Sequence, residues 1–535
     1  MTDSDASARR SRRVFWMVLG AVVLFRMWFV TTLPLTGDEA YHWEWSRHLA
    51  AGYYDHPPLT AFLIRLSTEV CTVSNEFSVR LPAILLLAGA ACVAFAHAAR
   101  LARSRGGSAA VAARAGLWAG VLMLIVPVFA GTGMYMSTDP PAIFFWTLAL
   151  YLLDRALTGG RWADWIMAGV AAGLAVQGKF LTVFFVPAAG ITVLALPSAR
   201  SWLRRPHPYV ASAAGIGVCL PFLYWNATHG WATFLFNLVY RHEPSPFTWR
   251  HPAESLAGQV LALSPGLWFA AVAALVWAAR QAVRRKETGT TLLLAAAACP
   301  HAYFLYASLR QRVSLHWPAC GWVPVLILLA VAWSETAGIA PPWRRWSRQL
   351  AVGLCVVMMV LALFAVHAPP SVIESLIGSR RQVGALRTHW AYERFGWDEI
   401  GRRAEAARDE LLAAQGDARR GVFVLCDEYG LAADLAFYMP SQHATHLWAA
   451  RRRHGENYRF WDDFATLASQ DAVLVSKHLR RMKKTVPVLK HHFEAVGEPE
   501  EVPIRVDGRV VRSFFLLRCK GFDGKAPRFM TSGIH

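Results

Sequence analysis

The strongest constraint on this chain is a series of apolar stretches separated by short polar ones, at 14–33, 79–99, 115–135, 140–157, 162–178, 180–196, 209–225, 255–279, 290–308, 317–333 and 350–367. Each is near the length needed to cross a hydrocarbon layer of about 30 Å, so the sequence predicts a polytopic α-helical membrane protein with about eleven spans. The first stretch follows Arg9, Arg10, Arg12 and Arg13 and has no small-residue cleavage site after it, which reads as an uncleaved anchor. With a cytoplasmic N-terminus, the inner loops hold Arg100, Arg103 and Arg105; Arg155 and Arg161; Arg200, Arg204 and Arg205; Arg280, Arg284, Arg285 and Lys286; and Arg344, Arg345 and Arg348. Every inner loop is then basic, as the positive-inside rule requires, and an odd number of spans places the C-terminal region outside.

Charge confirms the same division. The 55 Lys and Arg against 36 Asp and Glu give a net charge of +19, which on composition alone admits nucleic acid, anionic lipid or loop charge as the explanation. Position assigns most of it to topology, so no nucleic-acid partner is needed. The expected organisation is a cytoplasmic tail at 1–13, a membrane domain at 14–367 with a large outer loop at 36–78, and an extracytoplasmic α/β domain at 368–535. In that last domain 396–415 has the pattern of an amphipathic helix, 422–425 and 472–476 of buried strands, 431–438 of a helix, and 504–506 with 510–517 of a hairpin turning at Asp507-Gly508. The basic residues Arg451–Arg453 and Lys477, Arg480, Arg481, Lys483 and Lys484 read either as solvated surface or as a patch facing anionic headgroups or a phosphorylated glycan. The eight cysteines form no CxxC pair, which removes zinc ribbons and thioredoxin-type sites; Cys426 and Cys519 are the pair that an oxidising compartment would allow to bridge.

Polar chemistry collects in the outer loops. The stretch from Pro34 to Pro58 holds Asp38-Glu39 and Asp55-His56 at the two ends of a short helical piece. Asp38, just past the first span, has two readings: a general base of raised proton affinity against a low-dielectric wall, or a cap on the helix that starts near Glu39. Asp55-His56 before two prolines makes a rigid polar corner suited to orienting a substrate or to holding a divalent metal, with His229, His242 or His316 as further ligands. Asp139, before Pro140 and Pro141, is a helix cap, a site residue or both. Lys179, between two apolar spans, must reach an interface or pair with an anion. Arg241-His242 and Arg310-Gln311-Arg312 bring outer-face cations of the kind that suit a phosphate-bearing ligand.

The series GDEAYHWEWSRHLAAGYYDHPP, MSTDPP, QGKF, WNATHGW and SLHWPA resembles the bacterial branch of the protein mannosyltransferase and aminoarabinose transferase superfamily, and DEYGLAADLAFYMP is similar to the periplasmic domain of its bacterial members. The resemblance implies a GT-C fold in the bacterial inner membrane and an inverting sugar transfer at the periplasmic face. The donor would be a polyprenyl-phosphate sugar and the acceptor a hydroxyl of lipid A, core oligosaccharide or another envelope glycan. It further implies catalytic roles for Asp38 as base, Glu39 in the same pocket and Asp139 at the acceptor. Tyr41, Asp55, His56, Lys179, Arg241, His242 and His316 would bind substrate, with Asp55 and His56 beside the donor phosphate or a divalent metal. Two rival classes are a transporter or flippase for lipid-linked sugars, which predicts paired broken helices in two halves, and a non-catalytic binder of such lipids.

Overall fold

The computed structural model describes residues 3–240, 246–337, 341–369, 372, 393–415, 421–448 and 457–525. Two compact units make up the chain: one from residues 1–31, 56–227 and 242–363, the other from 32–55, 228–241 and 364–535.

The first unit is helical. Numbered along the whole chain, α1 is Asp3–Phe29 and α2, which belongs to the other unit, is Gly37–Arg47; α3 is Leu59–Cys71, α4 Glu76–Ser104, α5 Ala109–Ile125, α6 Pro127–Thr132, α7 Asp139–Gly159, α8 Trp162–Gly178 and α9 Phe185–Ala195. They are followed by α10 Pro197–Arg200, α11 His207–Thr228, α12 Ala232–Leu235, α13 Arg250–Leu263, α14 Pro265–Arg285, α15 Thr288–Ser308, α16 Ala319–Glu335 and α17 Pro342–His367. Six of the described helices (α4, α7, α11, α14, α15 and α17) are long and apolar enough to cross a membrane. A seventh span results if the segment from Phe180 to Arg204, bent by 108°, is counted as one.

Of the other expected spans, 14–33 falls on α1, an unbroken helix of 27 residues that also carries Arg12, Arg13 and Arg26, and the rest coincide with helices that are shorter or broken; proline explains two of the breaks. The stretch at 115–135 divides at Val126, before Pro127, and the stretch at 255–279 divides at Ser264, before Pro265. A proline has no N–H to give the preceding turn and forces its neighbour out of the helical region, so the chain restarts a helix at each.

Small residues set how closely these helices approach. Ala90, Ala91, Ala94 and Ala98 of α4 and Ala112, Ala115 and Ala119 of α5 are all fully buried. Between α8 and α11, a Cβ added at Gly173 would lie 2.6 Å from the carbonyl oxygen of Gly215. Such contacts replace the hydrophobic drive that is missing between helices in lipid with dense packing. At the basic loops the unit is clamped by charge: the Arg105 side chain, 1% exposed, sits between Glu287 and Glu335 and under the ring of Trp277. One guanidinium thereby ties the ends of α4, α15 and α16.

The second unit is the α/β domain that the tail pattern predicts. Its sheet has the order β2-β1-β3-β6-β4, with β5 on β6, formed by β1 Val422–Cys426, β2 Thr445–Leu447, β3 Asp471–Ser476, β4 Phe493–Val496, β5 Glu500–Val506 and β6 Arg509–Phe522. β2, β1 and β3 are parallel, and β6 runs antiparallel to β3. β1 and β3 are buried along their whole length, the state of a strand covered on both faces, which is why both read as unbroken apolar runs. The hairpin turns where expected, with Asp507 and Gly508 both at positive φ, the geometry that matches the twist of its two strands.

The tail helices are α18 Trp397–Ala414, α19 Tyr429–Tyr438, α20 Tyr458–Trp461 and α21 Leu479–Leu489. α18 buries Ile400, Ala404, Ala407 and Leu411, the amphipathic stripe foreseen for 396–415. Arg480, Lys483 and Lys484 are exposed on α21, while Arg481 pairs with Glu428 at 3.0 Å and Lys477 with the same carboxylate at 3.5 Å. Arg451–Arg453 lie outside the described residues. Cys426 and Cys519 are both free thiols, in β1 and β6 with β3 running between them, so the bridge left open by the sequence does not form.

If the Arg105 clamp holds the three helix ends, Arg105→Ala strands two carboxylates. Thermal unfolding of the detergent-solubilised protein is expected to show a loss on the order of 3 kcal/mol, and an unchanged melting temperature would remove the clamp from the account.

Candidate functional site

The polar stretch folds into α2 and the loop after it, and both lie in the second unit. Thr36 caps α2 through a reciprocal pair: Glu39 N–H donates to Thr36 Oγ1 at 3.3 Å, and Thr36 N–H donates to Glu39 Oε2 at 3.1 Å. This is the capping box, two orphan N–H groups satisfied by two side chains. The two readings of Asp38 separate on it, because capping falls to Thr36 and Glu39. Asp38, exposed in the first turn, accepts a hydrogen bond at Oδ1 from the Tyr429 hydroxyl at 2.8 Å.

Asp55 is locked into the interior at 2% exposure. Its Oδ2 accepts from the Tyr41 hydroxyl at 2.8 Å and from Asn457 Nδ2 at 3.3 Å, and Asn457 Nδ2 also donates to the Tyr41 oxygen at 2.7 Å. Asn457 Oδ1 accepts from Tyr54 N–H at 2.8 Å, while Asn237 Nδ2 donates to the Asp55 carbonyl at 2.9 Å. Burial, and then the Asp55 charge, push the Tyr41 hydroxyl well above its ordinary range, so it stays a donor. Tyr41 and Asp55 are thus brought together, on the side chain of Asn457.

Fit to a metal can be judged from these partners. Among the described residues no three His, Cys, Asp or Glu side chains converge as a metal ion needs, and Asp55 Oδ2 is taken by Tyr41 and Asn457. Of the further ligands expected beside Asp55-His56, His242 lies outside the described residues, and no chemical step is derived through a metal. His229 lies edge-on to Phe460 at 5.6 Å, while Arg241 and His242 lie outside the described residues.

α2 also buries groups that the sequence did not single out. Burial holds the His42 imidazole below its ordinary range even with Asp38, Asp55 and Glu39 close, so it is neutral. Glu44, 1% exposed, is pushed up to about 7 by burial, with Arg47 at 2.9 Å opposing the shift. The Asp434 carboxyl of α19 is fully buried with neither oxygen hydrogen-bonded among the described residues, and burial raises it well above the carboxylate range.

The first unit has a polar cluster of its own. Thr138 precedes α7 as its cap residue without a side-chain hydrogen bond, and the Asp139 carboxylate is turned to Lys179, whose Nζ lies 2.6 Å from Oδ1. His316 Nε2 is 3.7 Å from the other oxygen. Both Asp139 and Lys179 are 7% exposed, so Lys179 meets the demand on a deep cation by pairing with an anion. Gly178 makes the pair geometrically reachable: a Cβ there would lie 2.8 Å from the backbone nitrogen of Ala142, one turn into α7.

The family model of dolichyl-phosphate-mannose-protein mannosyltransferases matches residues 55–225, which include Asp139 and Lys179. Across 95% of this chain and 98% of the other, the structure superposes on that of ArnT from Cupriavidus metallidurans in the apo state, with a TM-score of 0.60 and 15% identity. The chain has the ArnT fold. The form of that ArnT bound to undecaprenyl phosphate matches with a TM-score of 0.59 and 15% identity over 94% of this chain and 98% of the other.

Two curated relatives point the same way. A lipid A galacturonosyltransferase, RgtD, of Rhizobium johnstonii is 30% identical over 50% of this chain and 54% of its own length. The undecaprenyl phosphate-alpha-4-amino-4-deoxy-L-arabinose arabinosyl transferase of Pseudomonas aeruginosa is 25% identical over 53% and 54%. The chain spans about half the length of the curated relatives it matches. Together with the ArnT fold, these similarities bear out the resemblance to GT-C glycosyltransferases that the motifs carried.

Sequence reasoning missed Tyr429, His42 and Asn457 as partners of this stretch. Tyr429 lies within DEYGLAADLAFYMP, which was visible as a motif; nothing local marks Asn457. Glu44 gives a pH-dependent prediction. Its folded-state value near 7 lies above the unfolded value of 4.5, so the stability it contributes is complete below about pH 4.5 and is lost as pH rises through 7. Glu44→Gln is expected to flatten that fall, read as melting temperature against pH from 4.5 to 8; parallel curves for the two proteins would refute it. For the other cluster, Gly178→Ala should drive α8 off α7 at a cost of about 1–3 kcal/mol of stability, read as a lowered melting temperature; an unchanged melting temperature would remove the close approach from the account.

Proposed function

We propose that this protein is an inverting glycosyltransferase that moves a sugar from a polyprenyl-phosphate donor to a hydroxyl of lipid A or another envelope glycan, at the periplasmic face of the bacterial inner membrane. The observation that carries the reading is the state of Asp38: a carboxylate on an exposed first turn, released from capping by Thr36 and Glu39, and oriented by a hydrogen bond. The donor side rests on the ArnT fold and on the undecaprenyl phosphate named in two of the matches. Lipid A as acceptor rests on RgtD, and the periplasmic orientation on the basic loops.

In the reaction, Asp38 accepts the proton of the acceptor hydroxyl as that oxygen attacks the anomeric carbon. The new C–O bond forms on the face opposite the phosphate, the glycosyl C–O bond to phosphate breaks with its electron pair, and polyprenyl phosphate leaves. The phosphate is already a good leaving group, so the protein's task is to place a base and to neutralise charge. Lys179 is assigned to the departing phosphate. Its pairing with Asp139 aims the ammonium in a buried setting, and His316 borders the same carboxylate. Asp139 has the role of holding Lys179, with acceptor positioning as its further assignment. Glu39 serves through the capping box that sets the start of α2.

Asp38→Asn is expected to abolish transfer, by about a thousandfold or more, when the protein is reconstituted in vesicles with an undecaprenyl-phosphate sugar and lipid A, while its melting temperature stays within a few degrees. Full turnover by that variant would remove Asp38 as base. Lys179→Met should lower kcat as well as donor affinity, because a phosphate contact strengthens as negative charge develops on the leaving group; an effect on melting temperature alone would assign the lysine a packing role.

A further inference from the structure

We infer that Tyr429 is a positioning residue for Asp38, so that the α/β domain supplies part of the catalytic constellation. The inference rests on the proposed reading of Asp38 as base. Open parallel sheets hold their ligands outside the carboxyl ends of the strands, at the place where chain connections leave in opposite directions. Here that place is β1: its connection through α19 leads to β2 on one side, while β3 lies on the other. No separate ligand is required to fill it, because α2 packs there on the start of α19. Gly37 and Gly430 approach so closely that a Cβ on Gly37 would lie 3.0 Å from the Gly430 Cα.

That approach delivers the Tyr429 hydroxyl to Asp38 Oδ1 at 2.8 Å. The ring of Tyr429 is held edge-on against Tyr41 with centroids 5.0 Å apart, and Tyr41 is itself fixed by Asp55 and Asn457. A donor fixed through such a chain occupies one carboxylate oxygen and turns the other toward a proton, which is what a general base needs from the groups that hold it. The same helix provides an internal control: the Tyr438 hydroxyl accepts from Leu35 N–H at 2.7 Å, joining α19 to the same stretch without touching Asp38.

The experiment compares Tyr429→Phe, Tyr438→Phe and Asp38→Asn in the reconstituted transfer assay, with kcat, KM for the donor and melting temperature measured for each. Tyr429→Phe is expected to lower kcat about tenfold to a hundredfold, the range for a hydrogen bond to a charged group, with KM within about twofold. Tyr438→Phe should leave kcat within about twofold, although it removes a hydrogen bond of the same packing contact. Equal losses in the two variants would make Tyr429 a docking group and overturn the inference. An unaffected Tyr429→Phe beside an inactive Asp38→Asn would overturn it while leaving the proposed reaction standing; an active Asp38→Asn would sink the reading of Asp38 as base.

Discussion

A charge removed from water must be met by an opposite charge or surrender its own. Much of this structure follows from how its buried polar groups satisfy that demand. In the helical unit Lys179 is answered by Asp139 and Arg105 by Glu287 and Glu335. In the α/β unit, burial shifts other groups toward their neutral forms: the imidazole of His42 and the carboxyl of Asp434. Against this background Asp38 differs. It is exposed, free of capping and oriented by a hydrogen bond from the Tyr429 hydroxyl, which are the conditions for a group kept for chemistry.

The helix that carries Asp38 shows how a polar sequence can become interior. α2 has eight consecutive buried residues from Glu39 to Ser46, two of them glutamates. No amphipathic stripe predicts this, because polar residues lie on all sides of the helix. Aromatic packing of Trp45 on Tyr53 and of Trp43 on Phe437 supplies the apolar contact, while the capping box, Arg47 and the Tyr41–Asp55–Asn457 group satisfy the polar atoms. An element anchored on so many sides holds its first turn in place, which is what a base presented from that turn needs.

How far the site could be read in advance varied with the range of the interaction. The carboxylates and the lysine were visible because each stands in a polar interruption of an apolar run. The disposition of those groups was not: Asp38 and Asp55 look alike in sequence, yet one is exposed and the other is sealed by an asparagine 402 positions away. Glu39 was read as a pocket residue and serves the capping box, a role whose local signal, Thr36 three residues before Glu39, was present in the sequence. The surroundings of Asp55 are likewise a tertiary matter, since its Oδ2 is hydrogen-bonded to Tyr41 and to the distant Asn457.

The apolar runs, the basic loops between them and the strand and turn patterns of the tail determined by themselves that this chain has membrane-length helices and an α/β domain. They do so because backbone polar groups in lipid leave helices as the local solution, and because strands covered on both faces must be apolar throughout. Only the tertiary structure decided that residues 32–55 fold with the α/β domain, that Tyr429 reaches Asp38 across 391 positions, and that Lys179 is answered by Asp139. Those pairings are set by which surfaces bury one another, and no local preference of the chain encodes a contact between segments so far apart.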